Sequence, residues 1–303
     1  MSAVADRSAV DWLNRQSYPF TPRYLAAEGG LMHYVDEGKG QTILFLHGCP
    51  TWSYQFRTAI QRLSADGFRC VAPDHIGFGL SEKPSDWAHS PAAHARNVSR
   101  LVSELGLKDI TLVCQGSGGP VGLSFAADNA CLIRGLVLSN TWMGSLEKDE
   151  ALQKKAKLAS SNFGAVLYEK LNGATAPIKS LVAQPTKNTA EVRQAYLGPF
   201  RDKASRAAIR ATIRSYAESN SWFREVWEHR EFFASKQPLL IWGMRDKDFG
   251  RQALNRIWRD MPLSEVIPFE DAGHLVFEDR PREATEAIRN YAFAGTQSRG
   301  FLA

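Results

Sequence analysis

Asp109-Ile110-Thr111-Leu112-Val113-Cys114-Gln115-Gly116-Ser117-Gly118-Gly119-Pro120 is the stretch that decides the fold. Its first half is apolar and β-branched, so Ile110–Val113 reads as a buried strand, and the residues from Pro120 to Asp128 read as a helix. A strand that enters a tight glycine-rich turn and leaves as a helix presents one side chain at the apex. Backbones crowd there, which demands small residues two before the apex and two and three after it. With Cys114 before and Gly118 and Gly119 after, the apex falls on Gly116. Shifting the frame by one puts Ser117 at the apex but leaves Gln115 and Pro120 in crowded positions. The favoured frame therefore sets a glycine where a reactive side chain should stand.

Outward from this turn, short apolar runs alternate with longer amphipathic ones, the pattern of a largely parallel sheet covered by helices on both faces. The candidate strands are Leu31–Val35, Thr42–Leu46, Arg69–Ala72, Ile110–Val113, Gly135–Leu138, Pro238–Trp242 and Glu265–Pro268, the first as an antiparallel edge. The candidate helices are Trp52–Ala65, Ala92–Leu105, Pro120–Asp128, Gln252–Arg259 and Pro281–Phe293. Between Met143 and Phe233 the strand pattern stops and the composition becomes helical. The expected organisation is a core of residues 1–142 and 234–303, with residues 143–233 inserted after the sixth strand as a helical cap. Packing of the cap on the core accounts for most of its aromatics, Phe163, Tyr168, Tyr196, Phe200, Trp222, Phe223 and Trp227; the remainder are left to line an apolar pocket.

The 303 residues are enough for one large domain with an insertion, and 44% of them are apolar, as in ordinary globular chains. The formal charge of +5 comes from Lys and Arg interspersed with Asp and Glu, as in Arg201-Asp202-Lys203, so it reads as a solvated surface with no nucleic-acid partner. Cys49, Cys70, Cys114 and Cys131 lack paired spacing and read as reduced thiols. Met1 to Arg15 is polar and charged without a leader-like apolar core, and no run approaches the ~20 apolar residues of a membrane span. The expectation is a cytoplasmic chain, a monomer or homodimer acting on a small apolar substrate, with no cofactor, no metal and no membrane partner.

Three further segments fall at the carboxyl ends of strands, where ligands bind in such sheets. His47-Gly48-Cys49-Pro50 follows Thr42–Leu46, and its Cys49 N–H, with the N–H of Ser117, is expected to face a developing oxyanion. His47 itself reads as a prop for that loop. Asp246 lies just past Pro238–Trp242, and His274 just past Glu265–Pro268. A carboxylate and an imidazole on neighbouring strand ends can form the orienting hydrogen bond of an acid–base dyad, with Asp248 the runner-up acid. The loop Asp74-His75-Ile76-Gly77-Phe78-Gly79 lacks the third glycine that a phosphate cradle needs, and Asp74 is expected to bond backbone N–H groups.

His47-Gly48-Cys49-Pro50-Thr51-Trp52-Ser53-Tyr54, Asp74-His75-Ile76-Gly77-Phe78-Gly79, Gln115 with Gly118-Gly119-Pro120, Ser139-Asn140-Thr141-Trp142 and Asp271-Ala272-Gly273-His274 together resemble the haloalkane dehalogenases of the α/β-hydrolase superfamily, close relatives of β-lactone decarboxylases and epoxide hydrolases. The resemblance runs from about Pro19 to Phe293 and is weak in the cap. It implies an α/β-hydrolase fold with a mostly parallel eight-stranded sheet, and a substrate pocket at Asn140 and Trp142. In that family an Asp at the apex attacks an sp³ carbon and a His-activated water hydrolyses the resulting ester. A following Trp, together with a second donor that in many members is an Asn or Glu after His-Gly or a Trp of the cap, holds the halide. The matching positions here are Gly116, Ser117 and Cys49, all departures from the pattern. Three functions are compatible with this: a hydrolase of an ester, lactone or similar carbonyl using the His274–Asp246 dyad with water or Ser117; a dehalogenase or related enzyme altered at Gly116 and Ser117; and a protein that binds a small ligand without turning it over.

Overall fold

The computed structural model describes residues 10–147, 149–170 and 181–297. The reading of the first nine residues as a polar, leaderless start lies outside them. Eight strands form one sheet in the order β1-β2-β4-β3-β5-β6-β7-β8. They are β1 (Arg23–Ala27), β2 (Gly30–Glu37), β3 (Thr42–Leu46), β4 (Arg69–Pro73), β5 (Ile110–Gly116), β6 (Ile133–Thr141), β7 (Leu239–Gly243) and β8 (Glu265–Phe269). β1 and β2 run antiparallel to their neighbours, and every pairing from β4 onward to β8 is parallel.

The seven expected strands all form, most with an extra residue or two at their ends, and β1 is the additional one. It makes β2 the second strand in from the edge rather than the edge itself. Its sequence, RYLAA, is half-exposed and has no β-branched residue, so it lacks the signal a buried strand gives. The central strands β3, β5 and β7 are buried along their whole lengths, as expected of strands covered on both faces.

Three helices fix the site's surroundings. α1 (Arg57–Ala65) follows a short 3-10 turn at Ser53–Phe56. α2 (Pro91–Glu104) starts with Pro at its first position, where a missing N–H costs nothing, and the Ser90 hydroxyl accepts from Ala93 N–H at 3.2 Å. α3 (Gly118–Asp128) springs directly from the end of β5, and every residue from Gly118 to Ala126 is buried. A side chain on Gly118 would meet the backbone oxygens of Leu46 and His47, and one on Gly119 would meet Thr141. Both positions need glycine for close approach, the steric demand that set the frame of the turn.

A helical insertion separates β6 from β7, with helices at Glu150–Ser160, Asn162–Ala165, Ala190–Leu197, Lys203–Glu218, Asn220–Glu228 and Arg230–Ser235. Of its aromatics, Tyr196, Phe200 and Phe223 are buried in the two apolar cores and Phe163 is exposed. Tyr168 lines the cavity beside the β5 turn, and Trp227 lines a neighbouring one. Among the described residues, no helix is long and apolar enough to cross a membrane.

Candidate active site

β5 lies between β3 and β6, so its carboxyl end opens onto the middle of the sheet's edge. There the backbone turns at Gly116, whose φ of +55° is a left-handed conformation that glycine adopts without strain. Thr141 Oγ1 pins the turn by donating to the Gly116 carbonyl at 2.6 Å. Ser117 follows in helical conformation (φ −68°, ψ −10°), so Gly116 and not Ser117 is the apex. A Cβ on Gly116 would stand 3.2 Å from His274 Nε2 and 3.5 Å from Gly48 Cα. A side chain at this position would thus face the imidazole.

His274 sits on the loop after β8, and Asp246 follows β7, its neighbour in the sheet. His274 Nδ1 and Asp246 Oδ2 are 2.7 Å apart. A carboxylate there requires the proton on Nδ1, which leaves the lone pair on Nε2. Burial alone would raise the Asp246 carboxyl. The charge and hydrogen bond of His274, with backbone N–H groups of Asp248 and Phe249, outweigh burial and hold it below the ordinary carboxylate value. Asp248, the runner-up acid, instead bonds Lys155 Nζ through both oxygens at 2.7 Å, with both side chains well exposed.

Asn140 stands beside Asp246 and is not among the residues lining the cavity. Its φ of +37° at the end of β6 turns the side chain toward β7. There Nδ2 donates to Asp246 Oδ2 and to the Gly243 carbonyl, each at 2.9 Å, while Oδ1 accepts from Gly243 N–H at 2.7 Å. Trp142, two residues on, does line the cavity.

Two contacts at the site have no simple signature in the sequence. Gln115, fully buried at the end of β5, places its Nε2 2.9 Å from His274 Nε2 and donates to the His274 carbonyl at 3.1 Å. The one available hint is a polar amide at the end of a buried strand, which must find partners. Cys49 N–H donates to Ser117 Oγ at 2.7 Å. Cys49 was expected to aim its N–H at substrate; the Ser117 hydroxyl holds that N–H instead. The Cys49 thiol is pushed up by burial to about 12, which leaves it a poor nucleophile near neutrality.

His47 props the loop as expected: it is buried, its Nε2 accepts from His75 N–H at 2.8 Å, and its Nδ1 lies 2.9 Å from the Gly48 carbonyl. Asp74 bonds backbone N–H groups as expected, from Ser53 at 2.9 Å and Leu80 at 2.8 Å, and also meets His33 Nδ1 at 2.9 Å.

The cavity beside the turn has a volume of about 240 Å³. Cys49, Ser117 and His274 meet a mainly apolar wall that includes Tyr168, Leu181, Ile209, Ile213, Tyr216 and Phe249. Lys155 and Asp248 also line it and neutralise each other. The arrangement brings together an imidazole paired with a carboxylate, the Ser117 hydroxyl at the start of α3, and a mainly apolar enclosure whose two charged residues pair with each other. Among the described residues, no cluster of His, Cys, Asp and Glu is placed to hold a metal ion.

Comparison with known proteins agrees with this architecture. Residues 41–281 match the family model described as alpha/beta hydrolase fold. Haloalkane dehalogenase 2 of Mycobacterium tuberculosis is 34% identical over 279 residues, covering 90% of this chain and 95% of that protein. The cis-3-alkyl-4-alkyloxetan-2-one decarboxylase of Shewanella oneidensis is 29% identical over 283 residues, 90% of this chain and 88% of that one. The crystal structure of haloalkane dehalogenase DbeA from Bradyrhizobium elkani superposes with a TM-score of 0.82 at 22% identity, covering 92% of this chain and 99% of that one, a likeness of fold. Sheet order, helical insertion and relatives agree, and the chain belongs to the α/β-hydrolase fold family, as a haloalkane dehalogenase-like member.

Proposed function

We propose that this protein hydrolyses a small to medium, uncharged apolar substrate with an ester or lactone carbonyl, and that Gly116 stands where the family's attacking carboxylate would be. His274 is the general base and Asp246 orients it. The observation that supports this best is the 2.7 Å His274–Asp246 contact at an apolar cavity, with the imidazole beside a side-chain-free apex. A dyad can act without a covalent nucleophile. Water adds to the carbonyl carbon while its proton passes to Nε2, and the tetrahedral intermediate then expels the alkoxide, which recovers that proton. The substrate class also suits the decarboxylase relative, since an oxetan-2-one is a four-membered cyclic ester.

Ser117 is the weaker candidate for nucleophile. Among the described residues its Oγ takes a hydrogen bond from Cys49 N–H and none links it to His274. The Gln115 amide at 2.9 Å covers the Nε2 lone pair, so catalysis requires water to displace it. This same contact favours a second reading, a ligand-binding protein, because the imidazole and the Cys49 N–H both have partners within the chain.

Hydrolysis of 4-nitrophenyl butyrate and β-butyrolactone decides between them. Wild type should turn over at least one, and His274→Ala should lose ~10²-fold or more, the ordinary contribution of a positioned base. Intact-mass spectra during turnover should show no acyl adduct. An unchanged rate in His274→Ala would remove the hydrolase reading, and no rate in either protein would leave the binding reading in its place.

A further inference from the structure

Ser117 sits between two groups that matter for an anion. On one side Cys49 N–H donates to its Oγ at 2.7 Å, a short contact for an N–H donor. On the other the residue lines the apolar cavity that also holds His274. A hydroxyl that accepts this bond still has its own proton to give. The oxygen's accepting capacity is not divided with α3, since the Ser117 side chain accepts no capping bond from the helix's first N–H groups. A side chain on Gly48 would come within 3.0 Å of the Ser117 nitrogen, so the loop and the helix start are packed backbone to backbone. The Cys49 N–H is already given to the Ser117 hydroxyl, so a substrate oxygen in the cavity meets Oγ–H rather than that N–H.

We propose that the Ser117 hydroxyl is a relayed oxyanion donor: Cys49 N–H polarises Oγ, and Oγ–H delivers the hydrogen bond to a substrate oxygen in the cavity. Three features make it a better donor than a free serine. Donation into Oγ strengthens the bond that Oγ–H makes, because chained hydrogen bonds polarise one another. The part-buried main-chain donor fixes Oγ in place, so little reorganisation is needed as charge develops. The start of the eleven-residue helix α3 adds a positive potential from its aligned peptides at the same point. Donation and nucleophilic attack make opposite demands. A nucleophile must lose its proton to a base, but His274 Nε2 is covered by Gln115 and Oγ is held at Cys49.

The identity of the oxygen, a carbonyl gaining charge as water adds, rests on the hydrolase reading above. The donor role is tested independently of turnover with 4-nitrophenolate, an oxyanion whose absorption band moves when it accepts a strong hydrogen bond. Its binding to wild type, Ser117→Ala and Ser117→Thr is measured by absorbance titration at pH 8.5. Wild type and Ser117→Thr, which keeps a hydroxyl, should bind and shift the band alike. Ser117→Ala should bind about tenfold or more weakly with a smaller shift, the loss of one hydrogen bond to a charged group. In parallel, Ser117→Ala should lower kcat for ester hydrolysis by ~10²-fold at unchanged KM, as when one oxyanion donor is removed. Equal phenolate binding by wild type and Ser117→Ala, or binding by neither, would overturn the relay. So would an acyl adduct on Ser117. If wild type binds phenolate through Ser117 but His274→Ala hydrolyses esters as well as wild type does, the relay stands and the hydrolase reading fails.

Discussion

If Gly116 occupies the position of a lost attacking carboxylate, Gly116→Asp should rebuild covalent chemistry toward a bromoalkane. The cost to the fold follows from the backbone. At φ +55° an L-residue is strained by ~1–2 kcal/mol relative to glycine. The new Cβ would meet His274 Nε2 at 3.2 Å and Gly48 Cα at 3.5 Å, so the imidazole must give by a few tenths of an ångström. Against the 5–15 kcal/mol typical of a domain this is affordable, and urea denaturation should show a loss of ~1–2 kcal/mol with m unchanged. The carboxylate would then face the apolar cavity with the dyad behind it. Attack on 1-bromobutane releases bromide and leaves an alkyl ester on Asp, which His274-activated water hydrolyses. Two assays read this: bromide release, and intact mass of Gly116→Asp with His274→Ala, where the ester should accumulate as a butyl adduct. Adding Ser117→Trp supplies an indole N–H for the departing halide and should raise the rate further. Folded variants that form no adduct and release no bromide would refute the assignment of Gly116 to the attacking position. Bromide release by the unaltered protein at ~1 per second or more, the lower end of ordinary turnover, would do the same.

Two other expectations come from buried titratable groups. His75 and His94 are 4% and 1% exposed, and burial, reinforced by neighbouring histidines, pushes both well below the ordinary value near 6.5. The folded state thus binds fewer protons than the unfolded chain, so their stabilisation is complete above pH ~6.5 and declines as pH falls below it. Each contributes up to ~1.4 kcal/mol per pH unit below ~6.5, and unfolding free energies measured by urea should fall from pH 7 to 5. His94→Leu should flatten that slope, and an unchanged slope would show that His94 does not remain neutral when folded. The second concerns thiols: Cys49, raised to about 12 by burial, should react with iodoacetamide at pH 7.5 far more slowly than exposed Cys131, read by peptide mapping. Comparable rates would mean that the cavity admits water and ionises the thiol.

What the sequence made legible was whatever depends on steric demand or on chain order. Gly118 and Gly119 had to be small because Leu46, His47 and Thr141 press on them, and that requirement alone placed the apex at Gly116. The ends of β7 and β8 brought Asp246 to His274 because parallel strands in this order set their carboxyl ends side by side. Strand β1 escaped because a half-exposed Ala-containing edge has no strong pattern. The family resemblance of Ser139-Asn140-Thr141-Trp142 places Asn140 in the pocket, whereas its left-handed backbone turns it to Asp246. The contacts made by Cys49 and Gln115 around the apex were the least legible. Cys49 meets Ser117 across 68 positions, and Gln115 meets His274 across 159. Each depends on which rotamer a side chain adopts where two distant loops converge, and neither residue type carries a preference strong enough to announce it. With glycine at 116 no side chain stands between these partners, and the neighbours on either side, Gln115 and Ser117, meet the imidazole and the Cys49 N–H. Residue 117, which among the described residues makes no hydrogen bond to Asp246 or His274, is therefore where this site can be changed without touching the dyad, whereas a change at 115 acts on His274 directly.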